Sequence, residues 1–321
     1  MKLIKKIATL GLVFALSTTM LAGCGDSDTA SNDAGSSQTA ETTDDNQDAG
    51  SAETPDNSGE DVPATQALKV IDVDLSSEEY AFGVDKDQPE LLTQTNEFIK
   101  EIMDNGEFDR ICNNYFGDGE PVAVSSADFD DSKDQLVVAT NAGFEPFEYT
   151  KGDKYLGIDM EIADLLAKKL NKELVIQNMD FDAVCLSVGQ HKCDIAMAGL
   201  TVKKSRKKYV EFTDSYYNAS QRLIVKGDDT EFDSLTDANA VHAALMGKDS
   251  SVKIGVQNGT TGKMYCDGDD EMGFEKLPVT SVGYKNGSLA CQDLLNGNLD
   301  YVIIDSAPAK CITEALNKMN A

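Results

Sequence analysis

Few residues in this 321-residue chain could do chemistry, and their types and spacing narrow what that chemistry is. Seven cysteines occur, and Cys24 stands apart from the rest behind Leu21-Ala22-Gly23. The other six (Cys112, Cys185, Cys193, Cys266, Cys291, Cys311) form no CxxC and no regular metal spacing, and read as small buried hydrophobes. His191 and His242 are the two histidines, and neither falls in a Ser/His/Asp or Cys/His pattern that would build a nucleophile. Asp267-Gly268-Asp269-Asp270-Glu271 has the acidity of a calcium loop, but it lacks the turn glycine at the sixth position and carries Pro278 at the twelfth. It is expected to be an acidic loop without metal. The basic run Lys203-Lys204-Ser205-Arg206-Lys207-Lys208 contains one guanidinium, a group able to grip a carboxylate with two parallel hydrogen bonds. Taken alone, that run is a solvated helix face and Arg206 a surface charge. Asp305 ends the apolar run Tyr301–Ile304, where it could equally cap a helix opening at Ala307-Pro308. No glycine-rich phosphate loop is present, and neither a cofactor nor a metal is expected.

The leader fixes a compartment. Met1-Lys2-Leu3-Ile4-Lys5-Lys6 is basic, and an apolar run from Ile7 to about Leu16 follows. This is the layout of a secretory signal, with an apolar run too short for a spanning helix of ~20 residues. Leu21-Ala22-Gly23-Cys24 resembles the bacterial lipobox, which implies a diacylglycerol thioether on Cys24 and a chain held at the outer face of the cell membrane, periplasmic where an outer membrane exists. Each buried CH₂ of an acyl chain contributes ~0.8 kcal/mol, so more than one chain anchors stably. Residues 25–67 hold eleven acidic residues and no Lys or Arg among Ser, Thr, Ala, Gly and Asn. Such a segment is predicted to be a disordered tether spanning roughly 35–40 Å. With its −11 and the leader's +3 removed, the formal charge of −28 leaves −20 on residues 68–321. That acidity argues against nucleic-acid phosphates as partner, and against a basic patch holding anionic lipid.

Beyond the tether, strand-like and helix-like stretches alternate. Leu136–Thr140, Leu174–Ile176, Ile195–Ala198, Leu223–Val225, Val252–Val256 and Tyr301–Ile304 read as strands. Ile158–Leu170 and Phe181–Val188 carry apolar residues at helical spacing. The alternation predicts βαβ units and largely parallel sheets, with loops gathered at the carboxyl edges of the strands. Leu68–Gly117 is organised differently. Lys69–Val73 and Tyr80–Val84 read as strands, Pro89 opens a helix that Asn105-Gly106 closes, and a second helix ends at Tyr115-Phe116-Gly117. Asp118–Lys133 reads as a linker.

Several stretches together resemble the amino-acid-binding members of the bacterial extracellular solute-binding proteins, partners of ABC importers. They are Ala139–Tyr149, Gly157–Ile162, Met179–Asp182, Ala198–Thr201 with Lys204–Lys208, Phe212–Asn218, Gly255–Thr261 and Asp300–Asp305, in family order over about 190 residues. The resemblance implies an α/β, two-lobed periplasmic-binding-protein-like type II fold (a Venus-flytrap). The family's closing strand, hinge and two helices ending in Tyr-Phe-Gly correspond to Leu68–Gly117, ahead of the rest. The chain therefore looks circularly permuted, with 118–133 joining the family's usual termini. On this reading lobe 1 is 76–117 plus 134–218, lobe 2 is 68–75 plus 219–321, and hinge crossings lie near Asp214–Ser220 and Asp72–Glu79.

The resemblance also implies a site. A free amino acid carries a carboxylate and an ammonium, and burying either costs several kcal/mol unless it is paired. Similarity assigns the carboxylate to Arg206 and the ammonium to Asp305. Ala198, Gly199 and Thr201 would offer main-chain and hydroxyl groups from lobe 1, and Gly259, Thr260 and Thr261 would open a lobe 2 helix with free amides. Asn141, Phe144 and Phe181 would meet the ligand side chain. Asn141 replaces an acidic residue seen in some relatives, so a neutral polar or small apolar amino acid is favoured over a basic one. Phe147 and Tyr149 read as lobe packing. The expected function is amino-acid capture for delivery to an ABC importer permease. A receptor-presenting sensor and a dehydratase-like enzyme on the same fold are the alternatives.

Overall fold

The computed structural model describes residues 67–320. The leader 1–24, with Cys24, and all but the last residue of the tether 25–67 lie outside the described residues. The chain enters through β1 (Leu68–Val70), then β2 (Glu78–Tyr80) and β3 (Gly83–Asp85). Tyr80–Val84, expected as one strand, is thus two. Ala81-Phe82 separates them, the Ala81 amide being taken by the Leu200 carbonyl. Helices α1 (Pro89–Asp104) and α2 (Glu107–Phe116) follow. Proline begins α1, and Leu91, Thr95, Phe98, Ile99 and Ile102 form its buried stripe. Residues 118–133 hold no named element, yet they run pinned along one lobe. Val124 bridges to Tyr155, and the Ala127 amide bonds the Leu174 carbonyl.

The βαβ portion then runs β4 (Gln135–Thr140), β5 (Gly143–Phe144), β6 (Glu148–Lys151), β7 (Lys154–Leu156), α3 (Ile158–Lys169), β8 (Glu173–Asn178), α4 (Phe181–Gly189), β9 (Ile195–Ala196), α5 (Lys204–Lys207), β10 (Val210–Phe212) and β11 (Tyr217–Ala219). It continues with β12 (Gln221–Lys226), α6 (Ala238–Met246), β13 (Lys253–Gln257), α7 (Thr261–Asp267), β14 (Thr280–Tyr284), α8 (Gly287–Leu295), β15 (Tyr301–Asp305) and α9 (Ser306–Asn320).

Two five-stranded sheets result, ordered β10-β3-β9-β4-β8 and β1-β12-β15-β13-β14. The lobes built on them are called lobe 1 and lobe 2. Each sheet is mixed, which corrects the expectation of largely parallel sheets. β4 is parallel to β8 and β9, and β13 to β14 and β15, as βαβ crossovers require. β3 runs against both its neighbours, as does β12. A separate antiparallel pair, β2 with β11, leads into β3 on one strand and out to β12 on the other. The molecule is therefore the expected two-lobed α/β architecture.

Alternation in the strands distributes the core. In β4, Leu136 and Val138 face a cluster containing Phe147, Ile158 and Ile162, while Val137 and Ala139 face Val175, Val184 and Val188. In β12, Ile224 faces Ile304 and Ile312, while Leu223 and Val225 face Val241, Leu245 and Val256. Each such side chain contributes roughly 1.5–3 kcal/mol. Phe147 is fully buried, edge-on to Tyr80. Two polar side chains tie distant segments. Asn317 of α9 accepts from the Leu68 amide at 2.9 Å and donates to the Leu68 carbonyl at 2.8 Å. Buried Glu161 of α3 accepts from the Tyr115 hydroxyl at 2.7 Å, from Asn114, and from the Val122 amide at 3.1 Å. The six described cysteines are free thiols, four of them buried and Cys112 and Cys311 half-buried. No helix among the described residues is long and apolar enough to cross a membrane.

Candidate functional site

The carboxyl ends of β13 and β15 in lobe 2 face the segment after β9 and the start of α4 in lobe 1. Between them lies a cavity with an empty volume of about 250 Å³. Its walls are Phe144, Phe181, Gly199, Thr201 and Arg206 from lobe 1, with Gln257, Thr260, Thr261 and Asp305 from lobe 2. Eight of the expected residues thus meet around one space. Ala198, Gly259 and Asn141 do not line it. Ala198 is buried among Val137, Val184 and Val210, and Gly259 and Asn141 act through neighbours.

Arg206 bridges the lobes. Its Nη1 donates to the Thr201 carbonyl at 2.8 Å, its Nη2 to the Gly259 carbonyl at 3.0 Å, and its Cζ sits 5.1 Å from the centre of the Phe181 ring. A guanidinium has five N–H donors, so three remain for a ligand anion. The two carbonyls and the ring fix the plane of the fork. Both nearby glycines are required by geometry. Gly199 has φ +54, and a Cβ there would lie 2.8 Å from the Phe144 ring. Gly259 has φ +75, and a Cβ there would lie 1.9 Å from Asp182 Oδ1. Thr260 caps α7, its hydroxyl donating to the Gln257 carbonyl, and the Thr261 hydroxyl lies 3.2 Å from that of Thr201.

Asp305 supplies the opposite charge. It accepts from the Tyr80 hydroxyl at 2.5 Å, and burial, reinforced by the charge of Glu78, raises its pKa to about 7. It belongs to a buried acidic layer below the cavity. Glu78 is gripped by Ser76, by Gln221 and by the Thr201 hydroxyl at 2.7 Å. Asp159, raised by burial to about 7, accepts from the Tyr216 hydroxyl at 2.6 Å and the Gly199 amide at 2.9 Å. Glu148 is fully buried, with no hydrogen-bond partner for either carboxyl oxygen among the described residues. Burial first, then the charges of Asp159 and Asp305, push its pKa well above the ordinary carboxylate range.

Sequence reasoning missed Gln257. Its Nε2 donates to Asn141 Oδ1 at 2.9 Å, and Asn141 Nδ2 donates to the Met179 carbonyl at 2.7 Å. This amide relay crosses between lobes and leaves Gln257 Oε1 buried without a donor among the described residues. Its position at the last residue of β13, two before Gly259, was the available signal.

The expectation that Lys203 shares a solvated helix face is wrong. Its side chain is 6% exposed and pairs with Asp269. Lys204, Lys207 and Lys208 are exposed, as expected. His191 lies in lobe 1 off the cavity wall, its Nδ1 2.7 Å from Asp85. His242 meets the Tyr265 hydroxyl in lobe 2.

Residues 136–320 match the family model described as Bacterial extracellular solute-binding proteins, family 3. Over 186 residues the chain is 35% identical to the Arginine-binding extracellular protein ArtP of Bacillus subtilis (strain 168), covering 58% of this chain and 67% of that protein. It is 31% identical over 171 residues to the Putative ABC transporter arginine-binding protein 2 of Escherichia coli (strain K12), covering 53% of this chain and 62% of that protein. The chain thus spans about two thirds or less of the length of these relatives. Among solved structures, an ancestral amino acid-binding protein described as a precursor of cyclohexadienyl dehydratase is similar at 28% identity. Its TM-score is 0.49, over 57% of this chain and 75% of that one.

Proposed function

Because this chain belongs to family 3 of the bacterial extracellular solute-binding proteins, we propose that it captures one free amino acid between its lobes and delivers it to an ABC importer permease. The observation that carries this is a single cavity to which lobe 1 brings the Arg206 guanidinium and lobe 2 the Asp305 carboxyl. Arg206 takes the ligand carboxylate with its three remaining donors, and Asp305 takes the ammonium. Each ion would then be buried with a partner, as burial demands. The lobes close because ligand contacts both at once, giving the closed state its differential affinity. The relatives reported above are described as binding proteins, which favours capture over the dehydratase alternative. The chain works on the outer face of the cell membrane, held by acyl chains at Cys24. A thermal-shift screen of the free amino acids tests the reading, and absence of any stabilising amino acid refutes it.

The two relatives are named for arginine. For this chain we propose a neutral polar or small apolar side chain. It would face Phe144, Phe181 and the amide relay of Gln257 and Asn141, where Asp305 is the one carboxylate on the cavity wall among the described residues. Gln257 Oε1 would accept from a ligand hydroxyl or amide. Asn141→Asp puts a charge behind that relay and is expected to move preference toward basic amino acids by about tenfold or more, roughly 1.4 kcal/mol. An unchanged ranking in the screen would remove Asn141 from specificity.

The chain order is proposed to be circularly permuted. Lobe 1 comprises 76–117 plus 134–218 and lobe 2 comprises 68–75 plus 219–321, with 118–133 as the join. Three features support it. β1 pairs with β12 in lobe 2, β3 lies inside the sheet of lobe 1, and Leu68 bonds Asn317 of the last helix. A rearranged chain running 134–320 and then 68–117 is expected to fold and to keep the same ligand. Failure of that chain to bind, with the natural order binding, would sink the permutation.

A further inference from the structure

The lobes also meet outside the cavity. Lys203, ahead of α5 in lobe 1, buries its ammonium against Asp269 of lobe 2, with Met264 Sδ 3.0 Å from Nζ. Lys203 and Asp269 side chains are 6% and 20% exposed. One residue on, the Lys204 amide donates to Glu271 Oε1 at 2.6 Å. The loop that carries both carboxylates is closed on itself. Asp269 and Phe274 exchange backbone bonds at 2.9 Å, and Asp269 Oδ1 accepts from the Met272 amide at 3.0 Å. The acidic stretch that resembles a failed calcium loop is therefore aimed at lobe 1. It grips the segment that carries Arg206 only three residues later.

We propose that the Asp269–Glu271 loop is a latch, which holds the cleft shut through Lys203 and the Lys204 amide and so sets how slowly the captured ligand leaves. Lys203 is a positioning residue. It lies off the cavity wall and acts by fixing α5, and with it the Arg206 fork, against lobe 2. Both charges are hydrated when the lobes part and desolvated when they meet, so the net gain from the intact pair is modest. Losing one partner is different, because the other is left buried and alone, and such losses appear mainly in dissociation rates. The inference rests on the capture reading for its ligand arm, so the test also reads the latch without ligand.

In the full chain without added amino acid, the Lys204 amide is expected to be protected from hydrogen exchange. It should exchange at least tenfold faster in Asp269→Asn and in the more exposed Glu271→Gln. Equal exchange in both variants overturns the latch. With the best amino acid from the screen, Lys203→Met and Asp269→Asn are each expected to speed release about tenfold with little change in association. The double variant should be no faster than either single. Unchanged release, or a double effect equal to the product of the singles, overturns the proposal. Failure of every amino acid to bind would sink the capture reading and leave the exchange result to decide the latch.

Discussion

Replacing Arg206 with alanine is expected to weaken binding of the captured amino acid by about a hundredfold to a thousandfold, roughly 3–4 kcal/mol. The size follows from what is left behind. Without the guanidinium, a ligand carboxylate would enter a cavity with no cationic side chain on its wall among the described residues, and an unpaired buried charge is costly. The same substitution frees the Thr201 and Gly259 carbonyls, which belong to opposite lobes, so closure loses a bridge as well. Arg206→Lys separates charge from geometry. It keeps the cation but loses the fork and the stacking on Phe181, and about tenfold of affinity is expected to go with them. Isothermal titration with the best ligand reads both. An alanine variant that binds within threefold of the natural chain would place the carboxylate elsewhere.

Binding should weaken below neutral pH, and Asp305 sets where. Its carboxyl, raised by burial and the neighbouring Glu78 to about 7, must be ionised to meet an ammonium. Above pH 7 affinity should be flat. Below it, the dissociation constant should climb about tenfold per pH unit, since each ligand bound must displace one proton. Stability of the unliganded chain should move the opposite way. Asp305 and Asp159, both near 7 when folded, hold protons that the unfolded chain releases above about 4. Folding therefore takes up protons across that window, and stability falls as pH rises through it. His191 acts in the same direction, because the hydrogen bond and charge of Asp85 raise its pKa and its stabilising protonation is lost as pH rises. From pH 7.5 to 5.5 the melting temperature without ligand should rise while the ligand-induced shift shrinks. Asp305→Asn should lose binding by about a hundredfold and abolish the pH dependence of what remains. A pH dependence that survives in that variant would assign it to another group.

The local elements were legible because they are local. The apolar stripe of α1 starts at a proline, and β4 and β12 present alternate residues to two cores. Mixed sheets were not legible, since the direction of β3 and β12 depends on where the chain crosses between lobes. Arg206 shows the limit at the site. Its neighbours made it a surface charge, and only the Gly259 carbonyl, 53 residues away, turns the guanidinium across the cleft. Lys203 fails for the same reason, its partner Asp269 lying 66 residues on. The buried acids Glu148 and Asp159 lie between apolar neighbours, but nothing in their own stretches marks a carboxylate there as buried rather than solvent-facing. Their burial depends on distant partners, such as the Tyr216 hydroxyl 57 residues from Asp159, which no window of sequence contains.

The hydrogen bonds between Asn317 and Leu68 have a mechanical meaning. The polypeptide joins the folded body on the edge strand of lobe 2, beside its last helix. In the order proposed for relatives, it would join at β4 in lobe 1 instead. If the chain is anchored ahead of residue 67, as proposed, lobe 2 would be the stationary jaw and lobe 1 would carry the swing. A load applied through that anchor would first meet the three residues of β1 and Asn317, none of which lines the cavity. The jaw that bears the load is the one that holds Asp305.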